Sequence, residues 1–175
     1  MDPSYPWIAG LCLTGLAIRT GYEVRNRVRA VDRPSRVLFA VVFAAMCGVL
    51  GSWPAMCPRD PWQSALGRGA HSIGLLVAAA GLALAVGGLA QLRGLENIDH
   101  LVTTGLFSRL RHPMYTGFVL WIAGWVLAYG ALASLAVGAI CVANILYWRH
   151  LEERALEVRY GEEYRAYRQR TRRVP

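Results

Sequence analysis

A histidine at the edge of an apolar segment is the first residue of this chain that suggests chemistry. The stretch LRHPMYTG places Arg111, His112 and Tyr115 directly before a long apolar run. Pro113 suits the first position of a helix and holds His112 outside it as a cap-like residue. The free N–H groups of such a helix start attract anions and disfavour a protonated imidazole. The stretch predicts either a ligand site or simply a helix start that Tyr115 anchors at the membrane interface.

A second polar cluster follows the last apolar run. Arg149 comes three and four residues before the adjacent acids Glu152 and Glu153 on a predicted amphipathic helix. Adjacent acids cannot share one direction, so we expect one to turn into a site and the other to meet solvent or an arginine. Glu153 and Glu157 repel each other at helical spacing unless a cation lies between them, such as a positively charged ligand. The simpler alternative is a solvated helix on anionic lipid. The stripe of this helix consists of Leu156, Tyr160, Tyr164 and Tyr167.

The segments that position these clusters are too apolar for a soluble protein of this length. Of 175 residues, 55% are hydrophobic and only 17% are charged. Crossing the hydrocarbon core takes roughly 17 to 25 residues of helix. The sequence therefore predicts an all-α, polytopic integral membrane protein with about five transmembrane helices and a C-terminal amphipathic cytoplasmic helix. The predicted spans are Tyr5–Ile18, Val37–Met56, Ser72–Leu92, Met114–Tyr129 and Ala131–Trp148.

We expect residues 1–175 to form a single membrane domain, with three N-terminal spans in 1–92 and both polar clusters in 93–175. No positive residue precedes the first apolar run, and no small-residue cleavage site follows it before Arg19, so we interpret it as a retained helix. The short connection around Gly130 predicts a tight antiparallel hairpin between the last two spans. That hairpin would bring the two polar clusters together at one membrane depth.

The arginines divide unevenly between the two sides of this topology. Six lie at positions 19–36, three at positions 91–111 and eight from position 149 onward, whereas the opposite side receives only Arg59 and Arg68. Cytoplasmic loops carry an excess of basic residues, so we predict an outside N-terminus and a cytoplasmic C-terminus. The asymmetry favours a membrane protein over a nucleic-acid-binding one. Arginine in place of lysine, with abundant alanine and glycine, suggests a GC-rich prokaryotic genome, so we expect the protein in a prokaryotic cell membrane.

Other familiar site patterns are missing from the sequence. The four cysteines are scattered without a CxxC pair or metal-ligand spacing, so we expect packing residues and no metal site. There is no Walker motif, no GxGxxG after a strand, and no Ser-His-Asp or HExxH arrangement. Asn144, deep in the last span, is expected to bond across helices. The segment TTG ending at Gly105 predicts a turn that lets the backbone approach a ligand or another part of the chain.

With these residues in view, the chain resembles the isoprenylcysteine carboxyl methyltransferase family and the related phospholipid N-methyltransferases. The similar pieces are HLVTTGLFSRLRHPMYTG, which begins at His100, the group Arg149-x-x-Glu152-Glu153, and the final stretch YGEEYRAYRQRTRRVP. Their order and spacing match across the predicted hairpin, whereas residues 1–90 are similar only in being apolar. Phe107 stands where the family often has tyrosine, which removes a hydroxyl group.

The resemblance implies an integral membrane methyltransferase that uses S-adenosyl-L-methionine, with residues 93–175 as the cofactor-binding catalytic half and the tail as its closure. A lipid-like or isoprenylated acceptor would enter from the bilayer, and a carboxylate acceptor undergoing O-methylation is the first expectation. The implied catalytic residues are Arg111, His112, Arg149 and Glu153, with the arginines holding the acceptor or the cofactor carboxylate. The implied cofactor-binding residues are His100, Leu101, Val102, Gly105, His112, Tyr115, Glu152 and Glu153.

Several alternatives stay open at this stage. A phospholipid or amine N-methyltransferase would need a proton removed from its acceptor, by His112 or one of the glutamates. A thiol or phenol acceptor is also compatible with the residues. A sterol-reductase-like enzyme shares the Arg-His-Pro-x-Tyr and Tyr-Gly features and would bind NADPH, although such proteins have about twice as many spans. A non-enzymatic adaptor could use the same arginine-rich tail to bind anionic lipid.

Overall fold

The structure is a computed structural model that describes residues 2–29, 36–92 and 100–171. Within these ranges the regular structure is helical, apart from one isolated bridge between Gln63 and Ala131. This confirms the prediction of an all-α fold. The helices are α1 (Tyr5–Arg29), α2 (Arg36–Met56), α3 (Arg68–Gln91), α4 (Pro113–Tyr129) and α5 (Leu132–Arg170), with 3-10 turns at Cys57–Arg59 and Gly105–Ser108.

Among the described residues, three segments are long and apolar enough to cross a membrane, namely Ala40–Arg59 in and after α2, α3, and α5. Helix α4 is apolar but has only 17 residues. Helix α1 has 25 residues, but its second half is polar and contains Arg19, Glu23 and Arg25. The chain is therefore an integral membrane protein with three helices that meet the requirement for a span. The full count of five spans and the orientation of the termini stay predictions.

Small residues set the distance between α3 and α4. A side chain at Gly74 of α3 would collide with the backbone of Ala128, and one at Gly124 of α4 would collide with the backbone of Ala78. Glycine at these contacts lets two apolar helices approach closely, which is how helices associate in lipid without a hydrophobic driving force. Near the start of α4, a side chain at Gly88 of α3 would lie only 3.1 Å from the backbone nitrogen of Met114, so α3 also packs closely against the residues that follow His112.

A tight turn joins α4 to α5, as the sequence predicts. Gly130 adopts a left-handed conformation with φ of 57°, which a residue without a Cβ tolerates, and α5 begins two residues later. The buried carboxylate of Asp60 accepts hydrogen bonds from the backbone N–H groups of Ala133 and Ser134, at 3.2 and 2.6 Å. These bonds anchor the first turn of α5 beside the end of α4. The opposite ends of the two antiparallel helices, which carry the two polar clusters, therefore also lie side by side.

Helix α1 is fastened to the middle of α5 by polar side chains. Thr20 donates a hydrogen bond to Asn144 Oδ1 at 2.9 Å and accepts one from the indole N–H of Trp148 at 3.1 Å. The prediction that Asn144 bonds across helices is confirmed. The contact places the polar second half of α1 beside the end of the apolar part of α5.

The tail is a continuation of α5 beyond its apolar part, Leu132–Trp148. Gly161 interrupts it with a φ of 49° and a ψ of −119°, a conformation that favours glycine. The helix bends there, and the last turns before Thr171 reach back to the residues preceding α4.

Candidate functional site

The start of α4 has the local structure that its sequence predicts. His112 has non-helical φ and ψ angles of −131° and 65° and precedes Pro113, the first residue of α4. The imidazole is buried, with 6% of the residue exposed, and stacks on the ring of Tyr115 at a centroid distance of 5.6 Å. The backbone N–H and the hydroxyl of Thr116 both donate to the carbonyl of His112, each at 3.0 Å. The stacking on Tyr115 and the bonds to the His112 carbonyl therefore hold the imidazole at the N-terminal end of α4.

The two polar clusters meet at this imidazole. His112 Nε2 lies 3.2 Å from Glu153 Oε1, and the same carboxylate oxygen lies 3.8 Å from Arg111 Nη1. Glu153 is only 7% exposed, whereas the side chain of Glu152 is 37% exposed and its Oε2 lies 3.8 Å from His112 Nδ1. The structure confirms that one of the adjacent acids turns inward while the other faces outward. The inward acid is Glu153.

Arg111 joins this site to the end of the tail. Its Nη2 donates to the backbone carbonyls of Arg168 and Thr171 at 2.7 and 3.1 Å, and its Nε donates to the Thr171 hydroxyl at 3.2 Å. These carbonyls belong to the end of α5, where helical carbonyl groups lack intrahelical partners. Arg111 thus fastens the tail over the site while its other nitrogen faces Glu153. Its predicted contact with an acceptor or cofactor carboxylate stays a prediction.

A hydrogen bond from a tyrosine is the second contact that holds the tail in place. The Tyr167 hydroxyl donates to the backbone carbonyl of Phe107 at 2.7 Å. Burial raises the pKa of Tyr167 to about 12, so this hydroxyl stays a donor at neutral pH. Although Phe107 lacks the hydroxyl common in the resembling family, its main chain takes part in closing the tail.

The polar cluster also contains buried donors that the protein leaves unused. Arg149 Nε and Nη1 and the Tyr164 hydroxyl are buried and have no hydrogen-bond partner among the described residues. Tyr164 is 1% exposed, and its burial, followed by the negative charge of Glu153, raises the pKa of its hydroxyl. Leaving a buried polar group unpaired costs about 1–3 kcal/mol, so most such groups in folded proteins are satisfied. Two unsatisfied side chains in one cluster fit a site that a ligand with oxygen atoms completes.

The predicted turn before the 3-10 segment is present, and it approaches another part of the chain. Gly105 has a φ of 60°, and a side chain there would collide with the amide group of Gln91 at the end of α3. The Leu106 N–H donates to Gln91 Oε1 at 2.9 Å. Gln91 was not predicted, because a polar residue at the end of an apolar run has no distinctive pattern. Before the turn, His100 is exposed and Leu101 and Val102 are half-buried, while residues 93–99 lie outside the described part of the chain.

Sequence reasoning also missed the contribution of α1. Arg19 and Glu23 form an ion pair one helical turn apart, and their side chains are 21% and 17% exposed. The guanidinium carbon of Arg19 lies 5.5 Å from the centroid of the Tyr22 ring and 5.6 Å from that of Trp148. The available signal was an Arg–Glu pair at helical spacing directly after an apolar run, which is typical of many membrane helices and therefore not distinctive.

Comparison with known proteins gives the same family relation that the motifs suggested. A family model described as "Phospholipid methyltransferase" matches residues 71–163, which run from α3 through the hairpin into the tail. Protein-S-isoprenylcysteine O-methyltransferase of Schizosaccharomyces pombe is 33% identical over 77 residues. Methanethiol S-methyltransferase 1 of Bradyrhizobium diazoefficiens is 37% identical over 91 residues.

These matches cover part of each protein. They take in 43% and 46% of this chain, and 33% and 31% of the yeast and bacterial relatives respectively. The chain thus aligns with about a third of the length of each relative, and α1 and α2 lie outside the family match. No solved structure matches the chain.

Proposed function

Because the chain belongs to the phospholipid methyltransferase family, we propose that it uses S-adenosyl-L-methionine to methylate a lipid-like or isoprenylated acceptor at the membrane surface. A carboxylate is the proposed methyl acceptor. The observation that carries the proposal is the presence of the unpaired Arg149 and Tyr164 donors beside the buried Glu153. Such a site is incomplete until a ligand supplies the missing partners.

The residues in this cluster complement the polar groups of the proposed cofactor. S-adenosyl-L-methionine has a carboxylate, an ammonium group and ribose hydroxyls. Arg149 would bind the carboxylate through charge-assisted hydrogen bonds. Glu152 and Glu153 would receive the ammonium or the ribose hydroxyls, and Tyr164 would add one neutral hydrogen bond. The remaining residues that the family resemblance implies, including His100 and Tyr115, keep that role as a proposal.

When bound, S-adenosyl-L-methionine would supply a methyl group on a sulfonium, and the carbon–sulfur bond would break, leaving a neutral thioether, as the acceptor's lone pair forms the new bond to the methyl carbon. The protein's contribution is mainly to hold both molecules in line and to exclude water. The tail would help to exclude water, because the hydrogen bonds of Arg111 and Tyr167 hold it over the site. A carboxylate acceptor is already ionised at neutral pH and requires no base.

The His112–Glu153 pair supports a second candidate function, which is methylation of a thiol or an amine. If His112 Nε2–H donates its hydrogen bond to Glu153, Nδ1 is unprotonated, and on the side that faces the partly exposed Glu152 it can take a proton from the acceptor. The names of the relatives include both an O-methyltransferase and an S-methyltransferase, which fits this alternative.

The test is methyl transfer from radiolabelled S-adenosyl-L-methionine by the purified protein in nanodiscs. Three acceptors distinguish the possibilities: a farnesylated cysteine derivative, a long-chain thiol and phosphatidylethanolamine. We expect labelling of the farnesylated cysteine, with a loss of about tenfold to a hundredfold in Glu153→Gln, because a charge-assisted hydrogen bond is worth about 1.5–3 kcal/mol. Glu163→Gln is the matched control, since Glu163 is an exposed glutamate of the same tail. Absence of transfer to all three acceptors would contradict the proposal.

A further inference from the structure

A cavity of about 340 Å³ lies between the first two helices and the other three. Its charged lining residues are Arg19 and Glu23, which lie one turn apart on α1 with Tyr22 between them and therefore sit together at one end. The rest of the lining is largely apolar. It includes Val42, Phe43, Met46, Leu50, Leu89 and Phe118.

The cavity adjoins the candidate cofactor site. Tyr115 and Trp148 both line it. The ring of Tyr115 stacks on the imidazole of His112, and Trp148 directly precedes Arg149. A molecule in the cavity would therefore have its polar end near the site where the cofactor is proposed to bind. The polar end of the cavity combines two parts of the chain, because Tyr115 and Trp148 lie within the family match whereas Arg19 and Tyr22 lie outside it.

Two residues of α2 connect the cavity with the outer surface of the helix bundle. Phe43 and Cys47 lie one helical turn apart, both line the cavity, and both are exposed. They belong to a segment that is apolar enough to cross the membrane. The exposed surface of such a segment faces lipid. The cavity is thus accessible from the hydrocarbon region rather than only from water.

We propose that α1 and α2 form the acceptor-binding part of the enzyme and that Arg19 selects an acceptor with an anionic head. The inference rests on the proposed methyltransferase function and assigns specificity to residues outside the family match. The volume is near the lower end of the range for small-molecule sites, about 300–1,000 Å³, which suits one apolar chain and not two. A guanidinium group has five N–H donors, so the pairing of Arg19 with Glu23 leaves donors for a second carboxylate.

Native Cys47 provides a direct readout of occupancy. It is exposed on the cavity wall, whereas Cys12, Cys57 and Cys141 are buried. We would measure the alkylation rate of Cys47 by peptide mapping of the full chain in nanodiscs, with dodecanoate, methyl dodecanoate and dodecylamine as probes. These probes share one apolar chain and differ in the charge of the head. We expect dodecanoate to protect Cys47 at concentrations about tenfold lower than the other two probes.

The variant Arg19→Gln should remove this preference by weakening dodecanoate protection about tenfold or more, because a charge-assisted hydrogen bond is lost. Protection by the uncharged ester should be unchanged. Arg25→Gln is the matched control, since Arg25 is an exposed arginine of the same helix. The double variant Arg19→Gln/Glu23→Gln, which also removes the negative charge of Glu23, should show the same loss as the single variant.

Binding of S-adenosylhomocysteine to the same samples separates the two proposals. If wild-type protein binds S-adenosylhomocysteine but no probe protects Cys47, the acceptor-site inference is overturned and the methyltransferase proposal stands. Equal protection by all three probes, or equal effects of Arg19→Gln and Arg25→Gln, would overturn the role of Arg19. If dodecanoate protects Cys47 and S-adenosylhomocysteine does not bind, the cavity is a lipid site and the proposed enzymatic function fails.

Discussion

Two buried carboxylates mark opposite ends of the α4–α5 hairpin, and they are satisfied in different ways. Asp60, at the turn, accepts hydrogen bonds from the backbone N–H groups of Trp62, Ala133 and Ser134. Glu153, at the open end, faces the side chains of His112 and Arg111. The first set of partners is fixed by the main chain, while the second consists of groups that can change protonation or partner.

The neighbours of the two carboxylates differ as well. Near Glu153, Nε and Nη1 of Arg149 and the hydroxyl of Tyr164 have no partner among the described residues. Close to Asp60, the hydroxyl of Ser134 lies 3.4 Å from that of Tyr5. A fully satisfied polar cluster specifies the fold, whereas a partly satisfied one is where a ligand gains binding energy. Burial of a charge alone therefore does not distinguish a structural site from a functional one. The state of its neighbours does.

The largest effect on stability should follow from a change at the turn. Asp60→Ala removes the acceptor of three backbone hydrogen bonds and leaves buried N–H groups unpaired. We expect the free energy of unfolding to fall by about 2–4 kcal/mol. The affinity of the remaining folded protein for S-adenosylhomocysteine should not change. Denaturant titration in detergent and calorimetry at low temperature measure the two quantities. A large loss of affinity would show that the two ends are coupled.

A change at Arg149 should have the opposite pattern. Arg149→Met keeps the unbranched apolar stem of the side chain and removes Nε and Nη1, which have no described partner, so ligand-free stability should stay the same or increase. The affinity for S-adenosylhomocysteine should fall by about 1.5–3 kcal/mol, since a charge-assisted hydrogen bond is lost. Thermal unfolding with and without ligand reports both effects. Strong destabilisation of the ligand-free protein would mean that Arg149 has a structural partner.

The smallest expected effects come from two tyrosines in the same tail. Tyr167→Phe removes a hydroxyl that donates to Phe107, so stability should fall by about 0.5–1.5 kcal/mol. Tyr164→Phe removes a hydroxyl without a described partner, so ligand-free stability should not fall. Only Tyr164→Phe should weaken S-adenosylhomocysteine binding directly, by a similar amount. Identical unfolding curves and affinities for the two variants would remove the distinction between satisfied and unsatisfied groups.

Local patterns predicted much of this arrangement. The His112–Pro113 pair specified the start of α4 because proline restricts both itself and its predecessor. The short turn at Gly130 implied that the two polar clusters meet, and the adjacency of Glu152 and Glu153 implied that only one turns inward. Each of these inferences depends on covalent geometry or helical spacing, which can be derived from neighbouring residues.

Contacts between distant segments could not be predicted in the same way. The role of Arg111 in fastening Thr171 depends on the kink at Gly161, and a glycine in a helical pattern does not specify the direction of a bend. The approach of Arg19 to Trp148 depends on how α1 packs against α5, which many apolar sequences would allow. The close packing of α3 and α4 through their glycines has a recognisable basis only once the partner helix is known.

The central claim is that the cluster around Glu153 binds a methyl donor, and isothermal titration calorimetry of the purified protein tests it most directly. Wild-type protein would be titrated with S-adenosylhomocysteine and, separately, with NADPH. We predict saturable binding of S-adenosylhomocysteine, weakened at least tenfold in Glu153→Gln and unchanged in Glu163→Gln, and no saturable heat with NADPH. Saturable binding of NADPH without binding of S-adenosylhomocysteine would contradict the claim and assign the site to a reductase.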